Sequence, residues 1–289
     1  MCYAARLKLS NRTIPPDCTM SSCMEIKLPE RMVSMNPLRR YEQIMEMLLA
    51  DSEVTVADLS KHLHVTGKTI REDLAKLEEK GLLQRVHGGA VLAHADQLGI
   101  LSARNPVNHH AAEKIEIAEL AVQLIEQKDI IALDGGTTTQ EIARRLPNQP
   151  LTVVTNDVII ISELARKDQI RLVVPGGYRV RNMLTGMEAV AYIRKLNIHK
   201  AFLTATGVHA ELGYTIYTGD FLDIKRAWMD TARVTYVVAD HHKFGQGALF
   251  TFAKLTEVEA ILTDSGISPL TIGLYEEAGV KLITKPDPR

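Results

Sequence analysis

Cysteine is almost missing from this sequence: there are three, Cys2, Cys18 and Cys23, all within the first 23 of 289 residues. The rest of the chain therefore holds neither a disulfide framework nor a thiolate-ligated metal. That distribution suits a reducing compartment, and a cytoplasmic location is the expectation. Long apolar runs are missing too, with no stretch near the roughly 18 residues a membrane span needs. Net charge is nearly absent: 34 Lys and Arg stand against 35 Asp and Glu, so any binding to nucleic acid must come from a local surface. The ten histidines are scattered, and the pairs His109-His110 and His241-His242 are each too small a ligand set, so no metal or cofactor is expected. Residues 1–34 lack the apolar core of a secretory signal. They read as a disordered extension, or translation begins at Met35, where Asn36 suits an N-cap and Pro37 a first helical position.

What is present begins with helical periodicity. Leu38, Tyr41, Ile44, Met45 and Leu48 recur at helical spacing from Pro37 to about Ala50. Glu53-Val54-Thr55 reads as a short extended link. Val56 to Leu63 reads as a second helix capped by Thr55, Val65-Thr66-Gly67 as a turn, and a third helix capped by Thr66 runs to about Lys80, with Gly81 as its C-cap. Two short helices around a tight turn are the pattern of a helix-turn-helix. On the third helix Ile70, Leu74 and Leu77 share the core-facing stripe. Lys68, Thr69, Arg71, Glu72 and Lys76 occupy the other faces, where cations can meet phosphates or guanine edges and Glu72 a cytosine amine. After Gly81, Leu82 to Leu92 reads as a hairpin bending at Gly88-Gly89, a wing that carries Arg85 and His87 toward the sugar-phosphate backbone. The pattern alone also fits a partner-binding module, because residues 35–93 hold eight Lys and Arg against nine Asp and Glu.

The run Val65-Thr66-Gly67-Lys68-Thr69-Ile70-Arg71-Glu72-Asp73-Leu74-Ala75-Lys76-Leu77, followed by Gly81 and Arg85-Val86-His87-Gly88-Gly89-Ala90, closely resembles the DeoR family of repressors. The resemblance implies that duplex operator DNA is the partner of residues 35–93. Thr66 replaces the usual Ser, which is nearly neutral for capping. Glu72 replaces a second Arg, which removes a positive charge from the recognition helix.

Residues 94–111 mix His, Ala, Asn and Pro without a period and read as a hinge. A helix follows from Ala112 to Gln127. Strands then alternate with helices: Ile130 to Leu133, Leu151 to Thr155, Arg171 to Val174, Lys200 to Leu203, Val234 to Ala239 and Ala260 to Leu262, with helices at Thr138 to Leu146 and Asp157 to Ala165. The rhythm predicts a mostly parallel sheet covered on both faces, in a sensor domain spanning 112–289.

The junction Leu133-Asp134-Gly135-Gly136-Thr137-Thr138-Thr139 sits where a strand ends and a helix begins, the place where open α/β sheets bind ligands. Its glycines admit close backbone approach, and its N–H groups and hydroxyls suit phosphate. Asn156, Gly176, Gly177, Asp240 and Lys243 end neighbouring strands, and Lys225 can neutralise an anion if its helix faces the cleft. Each also has a plainer reading as a turn, a cap or a solvated lysine. Neither a Rossmann fingerprint nor a P-loop is present.

The likeness to the DeoR family continues through Val153 to Asn156, Gly186, Ala201-Phe202, Thr206-Gly207, Gly213, Lys225-Arg226, Lys243-Phe244-Gly245 and Thr263-Asp264. It implies a fold like ribose-5-phosphate isomerase and the glucosamine-phosphate deaminases and a phosphorylated sugar as effector; the two modules together suggest a homo-dimer or homo-tetramer that places paired wings and recognition helices on repeated half-sites. Asp157 departs from the usual Ser, and Phe221 from a frequent acidic residue. Asp134, Asp220, Asp240 and Lys225 would also serve proton-transfer chemistry, so an isomerase-like enzyme stays open beside the favoured sensor, as does an adaptor binding neither ligand.

Overall fold

The computed structural model describes residues 36–51, 53–80, 82–92 and 110–285. The expected extension, the alternative start at Met35, the Gly81 cap and residues 94–109 of the hinge lie outside the described residues. Among the described residues no helix is long and apolar enough to cross a membrane.

The first region runs α1 (Pro37–Asp51), β1 (Glu53–Thr55), α2 (Val56–Leu63), α3 (Gly67–Glu79), β2 (Leu83–Val86) and β3 (Gly89–Leu92). The three strands form an antiparallel sheet in the order β1-β3-β2, giving a winged helix-turn-helix. Thr55 caps α2 by accepting from the Asp58 N–H at 3.1 Å, and Thr66 caps α3 by accepting from Thr69 N–H at 3.2 Å. The turn between them bends at His64, whose φ is 53°, and Gly67 is already the first residue of α3 rather than part of the turn. Ile44, Met45, Leu48, Leu59, Ile70, Leu74 and Leu77 close the core, whereas Leu38, expected on the apolar stripe of α1, lies exposed. Beneath them Arg40 Nη2 donates to Asp73 Oδ1 at 2.9 Å, a buried ion pair between α1 and α3. Removing one partner of such a pair strands a buried charge and costs about 3–5 kcal/mol. In the wing, a Cβ on Gly89 would lie 2.0 Å from the Val54 carbonyl oxygen, so β3 approaches β1 only because this residue has no side chain.

The larger region begins with α4 (Ala111–Gln123), four residues shorter than expected at its C-terminal end. There follow β4 (Ile130–Leu133), α5 (Thr137–Arg145), β5 (Leu151–Thr155), α6 (Val158–Leu164), β6 (Ile170–Val173), β7 (Tyr178–Val180), β8 (Met183–Thr185), α7 (Met187–Ile193) and β9 (Ile198–Thr204). Next come β10 (Gly207–His209), β11 (Gly213–Ile216), α8 (Leu222–Thr231), β12 (Ala232–Val238), β13 (Phe250–Ala253), β14 (Ala260–Leu262), α9 (Pro269–Glu277) and β15 (Leu282–Ile283). Seven strands form one parallel sheet in the order β15-β14-β12-β9-β4-β5-β6. Its side chains alternate between two cores, as the pleat requires. Ile131, Leu133, Val153 and Phe202 pack with α4, α5 and α6, while Ala132, Val154, Ala201 and Leu203 pack with α7 and α8 around Trp228. Two small antiparallel sheets, β10-β11-β13 and β7-β8, lie outside the expected rhythm.

Candidate functional site: a recognition helix and a strand-end cradle

Lys68, Arg71, Glu72 and Lys76 lie exposed on α3, opposite its buried stripe. Thr66 and Thr69 instead interact with one another at the helix start, Oγ1 to Oγ1 at 3.0 Å, so Thr66 is a cap first. Lys68 Nζ is 4.0 Å from Glu72 Oε1, a loose solvent-facing pair of little net worth. On the wing His87 is exposed, but Arg85 is engaged: its Nε and its backbone N–H both donate to the Glu78 carboxylate at 2.8 Å. Those two bonds, the backbone one foremost, hold the Glu78 carboxyl below the usual carboxylate range.

The second site lies on the carboxyl edge of the parallel sheet. After β4 the chain turns through Asp134-Gly135-Gly136 into α5. A Cβ on Gly135 would meet Met183 Sδ at 2.5 Å, and one on Gly136 would meet Thr204 Cγ2 at 2.6 Å, so the turn is pressed against its neighbours. Asp134 is fully buried, and its Oδ2 accepts from Lys225 Nζ and, at 3.1 Å each, from the N–H and hydroxyl of Thr204. Lys225 also donates to the Thr204 carbonyl at 2.7 Å. Helix α8 therefore turns Lys225 toward the end of β4.

Several buried polar atoms here lack a hydrogen-bond partner: Asp134 Oδ1, Thr137 Oγ1 and Asn156 Oδ1. Orphaned polar atoms of this kind are rare in folded proteins and call for a partner. Asn156 is otherwise fixed, its Nδ2 donating to the Leu184 carbonyl at 2.8 Å. Of the three hydroxyls after the glycines, that of Thr139 is not a ligand donor, because it donates to the Gly136 carbonyl at 2.8 Å; Thr138 is buried. Gly177 has φ of 98° and passes so close to Thr185 that a Cβ would lie 2.2 Å from its carbonyl oxygen; the neighbouring Gly176 is open. The visible duty of Gly177 is that crossing.

Asp240 and Lys243 fall in a neighbouring group after β12. Asp240 caps the single turn His241–Lys243, and burial pushes the Lys243 ammonium down while the Asp240 charge opposes that shift. Lys114 on α4 is buried nearby and is pushed down by burial against the same carboxylate. Sequence reasoning missed this lysine, and it read Asp157 only as a helix start and a departure from Ser. Asp157 caps α6 through the N–H groups of Ile159 and Ile160 and also receives Asn182 Nδ2 at 2.7 Å. The residue that departs from Ser at that position thus still serves as a cap, and burial raises its carboxyl above the usual range.

The two regions also touch. The Gly219 N–H donates to Glu42 Oε1 of α1 at 3.2 Å, shortly before α8 begins its run to Lys225. Arg39 Nη1 holds the same carboxyl group at 3.1 Å.

Comparison with known proteins agrees with this division of labour. Residues 40–96 match the DeoR-like helix-turn-helix domain, and residues 109–265 match the DeoR C terminal sensor domain. The HTH-type transcriptional regulator IolR of Bacillus subtilis is 33% identical over 231 residues, covering 78% of this chain and 90% of that one. The transcriptional repressor AccR of Agrobacterium fabrum is 32% identical over 249 residues, covering 84% and 96%. Among solved structures, ribose 5-phosphate isomerase A of Methanocaldococcus jannaschii aligns with 45% of this chain and 53% of its own, at 17% identity and a TM-score of 0.34, too distant to bear on chemistry. Both of these relatives are named as transcription regulators. The chain belongs to the DeoR family of DNA-binding transcription regulators.

Proposed function

We propose that this regulator is a repressor of a carbohydrate-metabolism operon, built from a DNA-reading domain at 35–93, a hinge at 94–111 and a sensor domain at 112–289. In this reading α3 enters the major groove with Lys68, Thr69, Arg71, Glu72 and Lys76, while Thr66 positions the helix and Arg85 and His87 of the wing approach the backbone. A phosphorylated sugar occupies the strand-end cradle and sets operator affinity. A homo-dimer or homo-tetramer matches paired half-sites. The name of AccR supports repression as the sign of control.

The observation that carries the effector reading is the set of orphaned buried atoms, Asp134 Oδ1, Thr137 Oγ1 and Asn156 Oδ1, beside the start of α5. Helix N–H groups favour a phosphate there, and the amide and carboxylate suit sugar hydroxyls. Lys225 then binds the anion directly or holds Asp134 for it. Asp240 and Lys243 belong to the same strand-end edge and complete the reading as more distant contacts.

The test is titration of the purified chain against its own upstream DNA at fixed salt, with and without a panel of sugar phosphates. Specific binding released by one compound is the expected result. Specific binding that no sugar phosphate alters removes the effector reading, and no preference over scrambled DNA removes the operator reading.

A further inference from the structure

We propose that His110, Glu113 and His242 form a binding site for one divalent transition-metal ion, zinc foremost, at the point where α4 begins. The proposal rests on the fold and not on the sugar-phosphate reading.

Neither histidine pair in the sequence makes a ligand set by itself, but folding unites one member of each. His110 and Glu113, three residues apart, share a face at the first turn of α4. His242 comes from the single turn after β12. One ligand atom from each of the three lies within 4.8 Å of the others. The His110 and His242 rings are 3.8 Å apart at their centroids, and His110 Nδ1 is 3.6 Å from Glu113 Oε1. All three residues are half-buried, so they are held by packing yet reachable from water.

The backbone supplies a second observation. His110 stands at φ 59°, a left-handed conformation uncommon for a residue with a side chain, and its imidazole makes no capping bond to α4. That conformation places the ring against His242 instead. Such conformations persist where the surroundings over-determine them, and they cluster at ligand sites.

The donor set chooses the ion. Two imidazoles and one carboxylate, with a fourth position open to water, are a zinc set; magnesium and calcium prefer oxygen alone. Zinc bonds of about 2.0–2.1 Å would draw tetrahedral ligand atoms to roughly 3.4 Å apart, a closure that side-chain rotation supplies. Asp240 Oδ1, 3.4 Å from His242 Nδ1, is the carboxylate placed to orient that ring. Asp240 also faces the buried Lys114 and Lys243, which leaves Glu113 as the ligand. A bound ion would tie the first turn of α4 to the end of β12.

The experiment uses the untagged full chain, stripped with chelator, titrated with Zn2+ against a chromophoric competitor and, separately, with Co2+. One ion per chain is expected, with a visible cobalt band and no thiolate-to-metal charge transfer. His242→Ser and Glu113→Gln should each weaken zinc by at least the ~10–100-fold that loss of a mere orienting partner costs elsewhere. Circular dichroism checks that both variants fold; if one fails, the other decides. A triple variant with Cys2, Cys18 and Cys23 changed to Ser should bind as tightly as the parent. Absence of stoichiometric zinc, binding indifferent to the folded variant, or binding lost with the three cysteines would each overturn the proposal.

Discussion

Lys225 of α8 and Asp134 at the end of β4 are hydrogen-bonded across the floor of the cradle, with side chains 5% and 0% exposed. Thr204 serves both, donating to the carboxylate and accepting from the ammonium. One carboxylate oxygen, Asp134 Oδ1, is left over. A pair so placed is costly to break singly, because the survivor stays buried and charged. Lys225→Met and Asp134→Asn should each lower stability by about 3–5 kcal/mol, and the double variant should recover part of the loss. Chemical denaturation of the four proteins measures this cycle. Both single variants should also lose the sugar-phosphate response while keeping operator binding.

The recognition helix predicts a different phenotype. Arg71→Ala and Lys68→Ala should weaken operator binding and leave effector binding intact. For every phosphate no longer neutralised, the slope of log K against log salt should become less steep by about 0.9. Glu72→Arg should do the opposite, since it replaces a charge that repels phosphate with one that attracts it. Fluorescence anisotropy at several salt concentrations separates these outcomes, and unchanged slopes would remove α3 from the interface.

Glu42 joins the two regions through the Gly219 N–H. Glu42→Ala should leave both ligands binding and reduce the effect of one on the other, by an amount equivalent to roughly 0.5–2 kcal/mol of coupling. Full coupling in this variant would show that the signal takes another route.

Asp264 predicts an acid dependence. Burial alone would raise its carboxyl, but the N–H and ring of His241 and the N–H of Gly266 together hold it below the usual range. Its folded pKa is thus below its unfolded value. The stability it contributes is present above about pH 3.9 and is lost as pH falls through the folded value. Asp264→Asn should lower stability at neutral pH and flatten the acid limb of the stability profile below pH ~4. An unchanged acid limb would contradict the assignment.

Much of this fold is legible in the sequence because caps and periodicity are local. Thr55 and Thr66 mark the starts of α2 and α3 by their hydroxyls, and the short apolar strands mark the parallel sheet. The end of α4 was not legible: Leu124 and Ile125 continue the apolar pattern into the same core after the helix has stopped at Gln123. The sheets β7-β8 and β10-β11-β13 are short and carry turn residues, so they read as loops. At the sites, Asp134-Gly135-Gly136 announces itself as strand, turn and helix. Asp73 did not, because a charged residue within a helix reads as surface until Arg40, 33 positions away, is found beneath it. The meeting of His110 with His242 is likewise tertiary, and Thr139 points inward for a reason only the turn geometry reveals.

A repressor controlled by its effector needs the cradle and the recognition helix to be thermodynamically linked. The most direct test of that linkage measures operator affinity with and without saturating effector, and effector affinity with and without saturating operator. Linkage requires the same factor in both directions, and a factor within the roughly 5–150-fold range usual for such coupling is expected. Tight binding of both ligands with a factor of one would contradict it, leaving two independent sites on one chain.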